Sequence, residues 1–353
     1  MRVAFDEQIF LLQRRGGISR YFVELATALE RVPGIELIPP SGPVIAPLAA
    51  DTWGLPLVRS RAGRRLRLAL AHRHPRQAKG ADLIHRTFYD PAWLRGNEQA
   101  PLVITVHDMI PELFPEHVPA GVHLAKRDYV ARADLILTNS EQTRSDLIHC
   151  YGTPSAPVVV THLGVDQVFF EAERPAGSAL PSRYLIYVGH RSGYKDFNLL
   201  LEALPALPAD LCLVAVGGGP WSDEEVLRAR ELEVSQRIIR VDMGDRDLAR
   251  AYAGASALVI TSRCEGFGLT VLEAMAAGTP VVAAAAGALP EVGGDAAHYF
   301  EAGDSAALAT AVSSAIGNEA DRRDLIYRGR IRAHQFTWAR TAELTAAAYQ
   351  SIL

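Results

Sequence analysis

Short apolar runs alternate with amphipathic stretches from one end of the chain to the other. In the first half, apolar or β-branched runs at residues 2–6, 36–38, 83–85, 102–107, 135–138 and 158–161 are short enough to predict strands. Between them, Ile18–Glu30 carries apolar residues at Ile18, Tyr21, Phe22, Leu25 and Leu29, the spacing of one helix face, and 122–133 and 141–150 also read as helices. The second half repeats the pattern, with strands at 184–189, 211–217, 238–241, 257–260 and 280–284. Helices follow at 197–204, 224–233, 248–254, 269–277 and 306–316, and a last one runs from Trp338 to Leu353. Strands that are apolar throughout, each followed by a helix, predict parallel sheets covered on both faces. Two such runs, joined by a Pro/Gly-rich stretch at 173–181, predict two Rossmann-like domains, 1–170 and 171–337. In such sheets ligands bind beyond the C-terminal strand ends, so chemistry is expected just after strands.

The densest candidate is Cys264 to Pro280, C-E-G-F-G-L-T-V-L-E-A-M-A-A-G-T-P. It follows the strand 257–260 with a Gly266-Phe267-Gly268 turn and then a helix opened by Leu269 and Thr270. A helix N-terminus preceded by glycines is a ready anion site, because unpaired amides and the positive dipole end both face the ligand. Glu265 stands at its mouth and Glu273 lies about two turns on. A carboxylate on each side of a phosphate cradle suits a nucleoside-diphosphate sugar.

This segment resembles the E-x7-E signature of the retaining nucleotide-sugar glycosyltransferases of group 1, or family 4. The resemblance implies a GT-B fold: two Rossmann-like domains with parallel sheets facing across a cleft, and a C-terminal helix, 338–353, crossing back to the first domain. It implies that Glu265 meets hydroxyls of the donor sugar and Glu273 binds the ribose. Tyr187 to Asn198, Y-V-G-H-R-S-G-Y-K-D-F-N, is similar to the family's V-G-R…K-N segment, whose Arg and Lys neutralise the donor diphosphate. Cations placed there act on the charge that builds on the leaving group. The segment departs from the family pattern in placing His190 directly after Gly189 and Arg191 next, so either can fill the Arg role. Arg191 is preferred, since His is only partly charged near neutrality, and Lys195 supplies the second cation. Gly16-Gly17, ahead of Ile18, resembles the family's glycine loop over the donor, and His107 occupies the place of a His that contacts the donor sugar. Val241, Asp242 and Met243 are similar to the family's base-contacting segment.

Other readings are structural or weaker. Thr138 to Glu141 looks like a helix cap. His85-Arg86, at a strand end, is a second candidate for facing the acceptor. Asp245-x-Asp247 is formally a metal-binding DxD, but both acids precede a helix and are expected to serve its N-terminus. No metal and no cofactor beyond the co-substrate is expected.

Composition adds boundaries. The 353 residues are 49% hydrophobic, enough for large cores and against disorder. No run of 18 apolar residues exists, and the N-terminus begins as a strand and not as a signal peptide. Three scattered cysteines fit a reducing cytoplasm and supply neither disulfide frame nor CxxC site. The net charge is −4, yet eight Lys/Arg fall between Arg59 and Lys79, interleaved with Leu66, Leu68 and Leu70. Residues 59–79 are therefore a candidate for peripheral contact with an anionic membrane surface, close to a lipid-linked acceptor. No nucleic-acid partner is indicated.

The expected activity is metal-independent transfer of a sugar, mannose or a related hexose, to an acceptor hydroxyl in glycan, surface polysaccharide or glycolipid synthesis. A GDP-sugar is preferred to a UDP-sugar, because residues 5–21 look similar to bacterial mannosyl- and related transferases. Two alternatives stay open: a GT-B nucleotide-sugar 2-epimerase or hydrolase, and a non-catalytic nucleotide-sugar binder.

Overall fold

The computed structural model describes residues 1–14, 16–60, 63, 80–95 (Arg95 by its backbone), 100–117, 125–173 and 179–353. Most of the basic 59–79 segment and the start of the helix expected at 122–133 lie outside these residues. The chain divides into two compact units: Met1–Gly164 with Trp338–Leu353, and Val165–Thr337.

The first unit holds a parallel sheet of six strands: β1 (Arg2–Phe5), β2 (Glu36–Ile38), β3 (Leu83–Arg86), β4 (Leu102–Val106), β5 (Leu135–Thr138) and β6 (Val158–Val160). Their order is β2-β1-β3-β4-β5-β6, with Val3 opposite Leu83 and Val103 opposite Leu135. Strands β3 and β5 are buried at every position because helices cover both faces. The helix Gly17–Leu29 turns Tyr21, Phe22, Leu25 and Leu29 inward, and the C-terminal helix Trp338–Gln350 belongs to this unit.

That C-terminal helix is tied in by polar groups in the core. Tyr349 is fully buried, and its hydroxyl lies 2.6 Å from Nδ1 of His85. The other ring nitrogen of His85 is 2.8 Å from Thr105 Oγ1, which is 3.2 Å from the Tyr21 hydroxyl. Burial, with a smaller push from His107, lowers the His85 pKa to about 3. His85 therefore serves the core and not an acceptor, because its side chain is enclosed and both ring nitrogens are engaged. Arg86 is likewise buried, paired with Asp6 at 3.1 Å and set over the Trp93 ring.

The second unit holds β7 (Tyr184–Val188), β8 (Cys212–Val216), β9 (Ile238–Val241), β10 (Ala257–Ile260), β11 (Val281–Ala284) and β12 (His298–Phe300), all parallel, in the order β12-β11-β10-β7-β8-β9. The order reverses between β7 and β10, where Leu185 pairs with Ala257. The crevice above that junction is where a doubly wound sheet binds ligands. On one face of this sheet a core forms in which Leu213, Val259 and Val282 meet Phe197, Leu201 and Leu308 from the helices.

Several elements differ from the periodicity reading, among them the short helices Gln8–Leu12, Pro47–Trp53, Ile110–Leu113 and Leu289–Gly293, which it does not contain. β12 opens on a histidine and is buried only at Phe300, so it shows no apolar run, and the helix Glu319–His334 is mostly polar with only Leu325, Gly329 and Ala333 buried. The short helix Gln167–Phe170 lies in the second unit, not the first, because Phe169 packs against Tyr252.

Candidate functional site

Above the β7–β10 junction lies a cavity of about 110 Å³ whose wall includes Tyr187, Lys195, Ser262, Glu265, Gly268 and Thr270. One wall is the start of the helix Leu269–Ala276. Its N-cap is Gly268, with φ of +95°, a conformation open to glycine and strained for residues with a Cβ. A Cβ there would also meet Leu289 Cδ2 at 2.9 Å. Gly268 has no side chain to cap the helix, so it leaves the first-turn amides uncapped, and Leu269 and Thr270 of that turn line the cavity. Gly266 and Phe267 form the approach, with Phe267 buried against Phe336.

An ion pair lines the same cavity. Lys195 Nζ donates to Glu265 Oε1 at 2.6 Å, and Ser262 Oγ donates to the same oxygen at 2.7 Å. The pair is partly shielded, with side chains 19% and 17% exposed. Glu265 is also held from beneath. Ala288 N donates to Glu265 O at 3.0 Å, and a Cβ on Gly287 would come within 2.5 Å of Glu265 N. Glu273 lies one turn on from Leu269 and Thr270, outside the cavity wall and 5% exposed, and its Oε2 accepts from the Tyr252 hydroxyl at 3.2 Å. Gly287 and Tyr252 were not legible beside the motif because each reaches it from another segment, and Ser262, three residues before Glu265, gives no sign in sequence of turning its hydroxyl to that carboxylate.

The segment after β7 is where geometry departs furthest from expectation. Arg191 does not direct its charge at this cavity. Its guanidinium is 2.7 Å from Glu225 Oε1, bonds the carbonyls of Gly217, Gly219 and Pro220 at 2.8–3.0 Å, and stacks 4.5 Å from the Trp221 ring. A cation so satisfied by a buried carboxylate holds the Gly217–Pro220 loop to the end of β7, which corrects its assignment as a diphosphate cation. Gly218 fits against it because it lacks a Cβ, which would sit 2.5 Å from Arg191 Nη1 and 2.8 Å from Gly189 O. Arg191 and His190 line a separate polar cavity of about 260 Å³ with Ser192, Asn198, Ser222 and Glu224. Gly189 turns the chain with φ of +121°, and His190 is exposed beyond it. Lys195 is the cation of this segment that the structure brings to Glu265.

Val241 closes β9 and its carbonyl accepts from Gly217 N at 2.9 Å, with Met243 half-buried two residues on. Asp245 and Asp247 sit in the first turn of the helix Asp245–Gly254, whose N-cap is Gly244; they face its dipole and do not cap it. Among the described residues no cluster of three or more His, Cys, Asp or Glu is arranged to hold a metal ion.

The remaining candidates belong to the first unit. His107 follows β4, half-buried, its ring edge-on to Tyr21 at 4.9 Å. Gly16 is the extended N-cap of the helix Gly17–Leu29, and Gly17 has open space around it. The Ser19 amide in that first turn is taken at 3.2 Å by Gln13 Oε1, so this helix start is less open than its glycines suggest. Ser140 caps the helix Glu141–Tyr151 through Thr143 N at 2.9 Å.

With this geometry in place, likeness to known proteins is informative. Residues 15–168 match the family model described as Glycosyltransferase Family 4, and residues 169–332 match the one described as Glycosyl transferases group 1. The chain is 32% identical over 311 residues to D-inositol 3-phosphate glycosyltransferase of Actinosynnema mirum, covering 76% of this chain and 72% of that one. It is 28% identical over 298 residues to O-antigen chain mannosyltransferase B of Escherichia coli, covering 78% of each. In fold it is similar to Anabaena HepE, solved with UDP and glucose, at a TM-score of 0.76 and 19% identity over 99% of this chain and 100% of that one. Sucrose-phosphate synthase of Thermosynechococcus elongatus gives a TM-score of 0.76 at 20% identity, covering 99% and 98%. The chain belongs to the group 1, family 4 glycosyltransferases and has their GT-B fold.

Proposed function

We propose that this glycosyltransferase moves a hexose from a nucleoside diphosphate to an acceptor hydroxyl with retention at the anomeric carbon and without a metal ion. The observation that carries the reading is the Lys195–Glu265 pair sharing one cavity with the Gly268 helix start. The diphosphate lies between Lys195 and the first-turn amides, where an ammonium and a helix dipole both act on the charge of the leaving group. Glu265 holds sugar hydroxyls and Glu273 holds the ribose.

Glu265 is a poor covalent nucleophile here, because Oε1 already accepts from Lys195 and Ser262. The transfer is therefore a front-face displacement. The bond from the anomeric carbon to the diphosphate oxygen breaks, the acceptor oxygen bonds that carbon from the same side, and the acceptor proton passes to the departing phosphate. Fixed cations that meet this charge only as it develops lower the barrier and not merely the ground state.

A mannosyl donor and GDP are preferred, supported by the likeness to an O-antigen mannosyltransferase; the HepE likeness keeps UDP as the comparison. The acceptor is a glycan or lipid-linked glycan, and the cationic stretch 59–79 supplies charge for an anionic bilayer surface. No helix among the described residues is long and apolar enough to cross a membrane.

The test is transfer from GDP-mannose and UDP-glucose to simple α-mannosides, with and without EDTA, followed by proton NMR of the product. An α-linked product formed in EDTA is expected. A β-linked product overturns the front-face scheme, loss of transfer in EDTA overturns metal independence, and consumption of donor without acceptor moves the hydrolase or epimerase reading ahead.

A further inference from the structure

Lys195 is aimed by a backbone conformation that a non-glycine residue rarely adopts. Its neighbour Asp196 has φ of +50° and ψ of +43°, and Gly193, two residues before Lys195, has φ of +63°. Two left-handed residues thus bracket Tyr194-Lys195 and turn the chain sharply between β7 and the helix Phe197–Ala203. At Gly193 the absent Cβ removes the strain; at Asp196 something must hold it.

The holding contacts come from the strip that follows β10. Arg263 Nε donates to Asp196 Oδ2 at 3.0 Å, Arg263 N donates to Tyr194 O at 2.8 Å, and Thr261 Oγ1 donates to Lys195 O at 2.7 Å. Between the two outer residues of that strip, Ser262 bonds Glu265. Three consecutive residues therefore fix the turn that carries Lys195 and the carboxylate that Lys195 meets. The Asp196 side chain is 16% exposed and that of Arg263 53%, so the carboxylate is sheltered while the guanidinium reaches it from the solvent side.

We propose that Asp196 and Arg263 are positioning residues for the transfer reaction: the hydrogen bond from Arg263 to a side-chain oxygen at 196, on a residue type that tolerates positive φ, locks the left-handed turn that delivers Lys195 Nζ to the diphosphate beside Glu265. This rests on the donor-site reading above and adds to it the device that sets its cation. Asp196 does not touch the donor. It acts through Lys195, and its effect vanishes when the Lys195 ammonium is absent.

A double-mutant cycle reads this directly. UDP and GDP are titrated calorimetrically into wild type, Asp196→Ala, Lys195→Ala and the double variant, using whichever nucleotide wild type binds. Asp196→Ala is expected to weaken binding about five- to tenfold in the wild-type background and less than about twofold in the Lys195→Ala background, as coupling between neighbours requires. Asp196→Asn, which tolerates the left-handed turn and keeps an oxygen for Arg263, is expected to bind within about twofold of wild type. If Asp196→Ala fails to fold, Asp196→Gly removes the carboxylate without backbone strain and Arg263→Ala removes its partner, and either completes the cycle. Equal losses in both backgrounds, or Asp196→Asn as weak as Asp196→Ala, overturn the positioning role while leaving the donor site standing. Lys195→Ala binding as tightly as wild type, or no nucleotide binding by wild type, overturns the donor-site reading and the clamp with it.

Discussion

His85 makes the stability of the first unit depend on pH in a calculable way. Burial lowers its pKa to about 3 in the folded chain, against about 6.5 when unfolded. Below pH 6.5 the unfolded chain takes up a proton that the folded chain refuses, so the folded state loses stability as pH falls towards 3 and keeps all of it above about pH 7. The linkage integral gives about 2 kcal/mol lost between pH 7.5 and pH 5, and about 3 kcal/mol by pH 4. The perturbation is His85→Gln, which keeps polar atoms near Tyr349 and Thr105 but does not titrate. Urea unfolding of both proteins at pH 7.5, 6.5, 5.5 and 5.0, followed by far-UV circular dichroism, isolates the term. The variant starts less stable, and its decline across the range is expected to be shallower by about 2 kcal/mol. Parallel declines would refute the reasoning, as would an NMR titration placing the His85 imidazole near 6.5.

Four further outcomes follow from single contacts. Gly287→Ala drives a Cβ to 2.5 Å from Glu265 N, and transferase kinetics should show kcat lower by about tenfold or more in a folded protein; a wild-type rate refutes the support role of Gly287. Arg191→Ala leaves Glu225 buried beside the Gly217–Pro220 loop and should lower unfolding free energy by about 3–5 kcal/mol. A change under about 1 kcal/mol, with catalysis falling steeply, would return Arg191 to the diphosphate. Tyr252→Phe removes the hydroxyl at Glu273, and nucleoside-diphosphate affinity should fall about fivefold by calorimetry, about 1 kcal/mol. Ser262→Ala frees one acceptor site on Glu265 and should lower kcat about five- to tenfold with donor KM nearly unchanged; an unchanged kcat argues against Ser262 orienting the carboxylate.

What the chain discloses without coordinates is whatever lies within one contiguous segment. Glu265, Gly266, Gly268 and Glu273 form one strand–turn–helix passage, so the turn, the helix start and the carboxylate spacing are readable together. The alternation of apolar strands and helices likewise carries the parallel sheets, because strands buried on both faces are apolar at every position. Direction is what sequence does not carry. Arg191 and Lys195 are four residues apart in one segment, yet Arg191 turns to Glu225 and Lys195 to Glu265. His85 stands at a strand end like a ligand contact, but Tyr349, 264 residues away, encloses it. Gly287 reads as ordinary loop glycine, and only the approach of Glu265 shows why it has no side chain. Asp196 follows Lys195 where the family pattern has Asn, and its left-handed backbone is the physical reason for either residue.

The donor site proposed for the second unit binds a nucleoside diphosphate through Lys195, Glu273 and the Gly268 helix start. It is tested most directly by thermal-shift titration of wild type and Glu273→Ala with UDP, GDP, ADP and dTDP in the presence and absence of EDTA. A ligand bound only by the folded state raises the melting temperature by mass action. One nucleotide should raise it in wild type regardless of EDTA, and far less in Glu273→Ala. If no nucleotide shifts wild type at millimolar concentration, or the variant shifts as much as wild type, the donor-site account is contradicted.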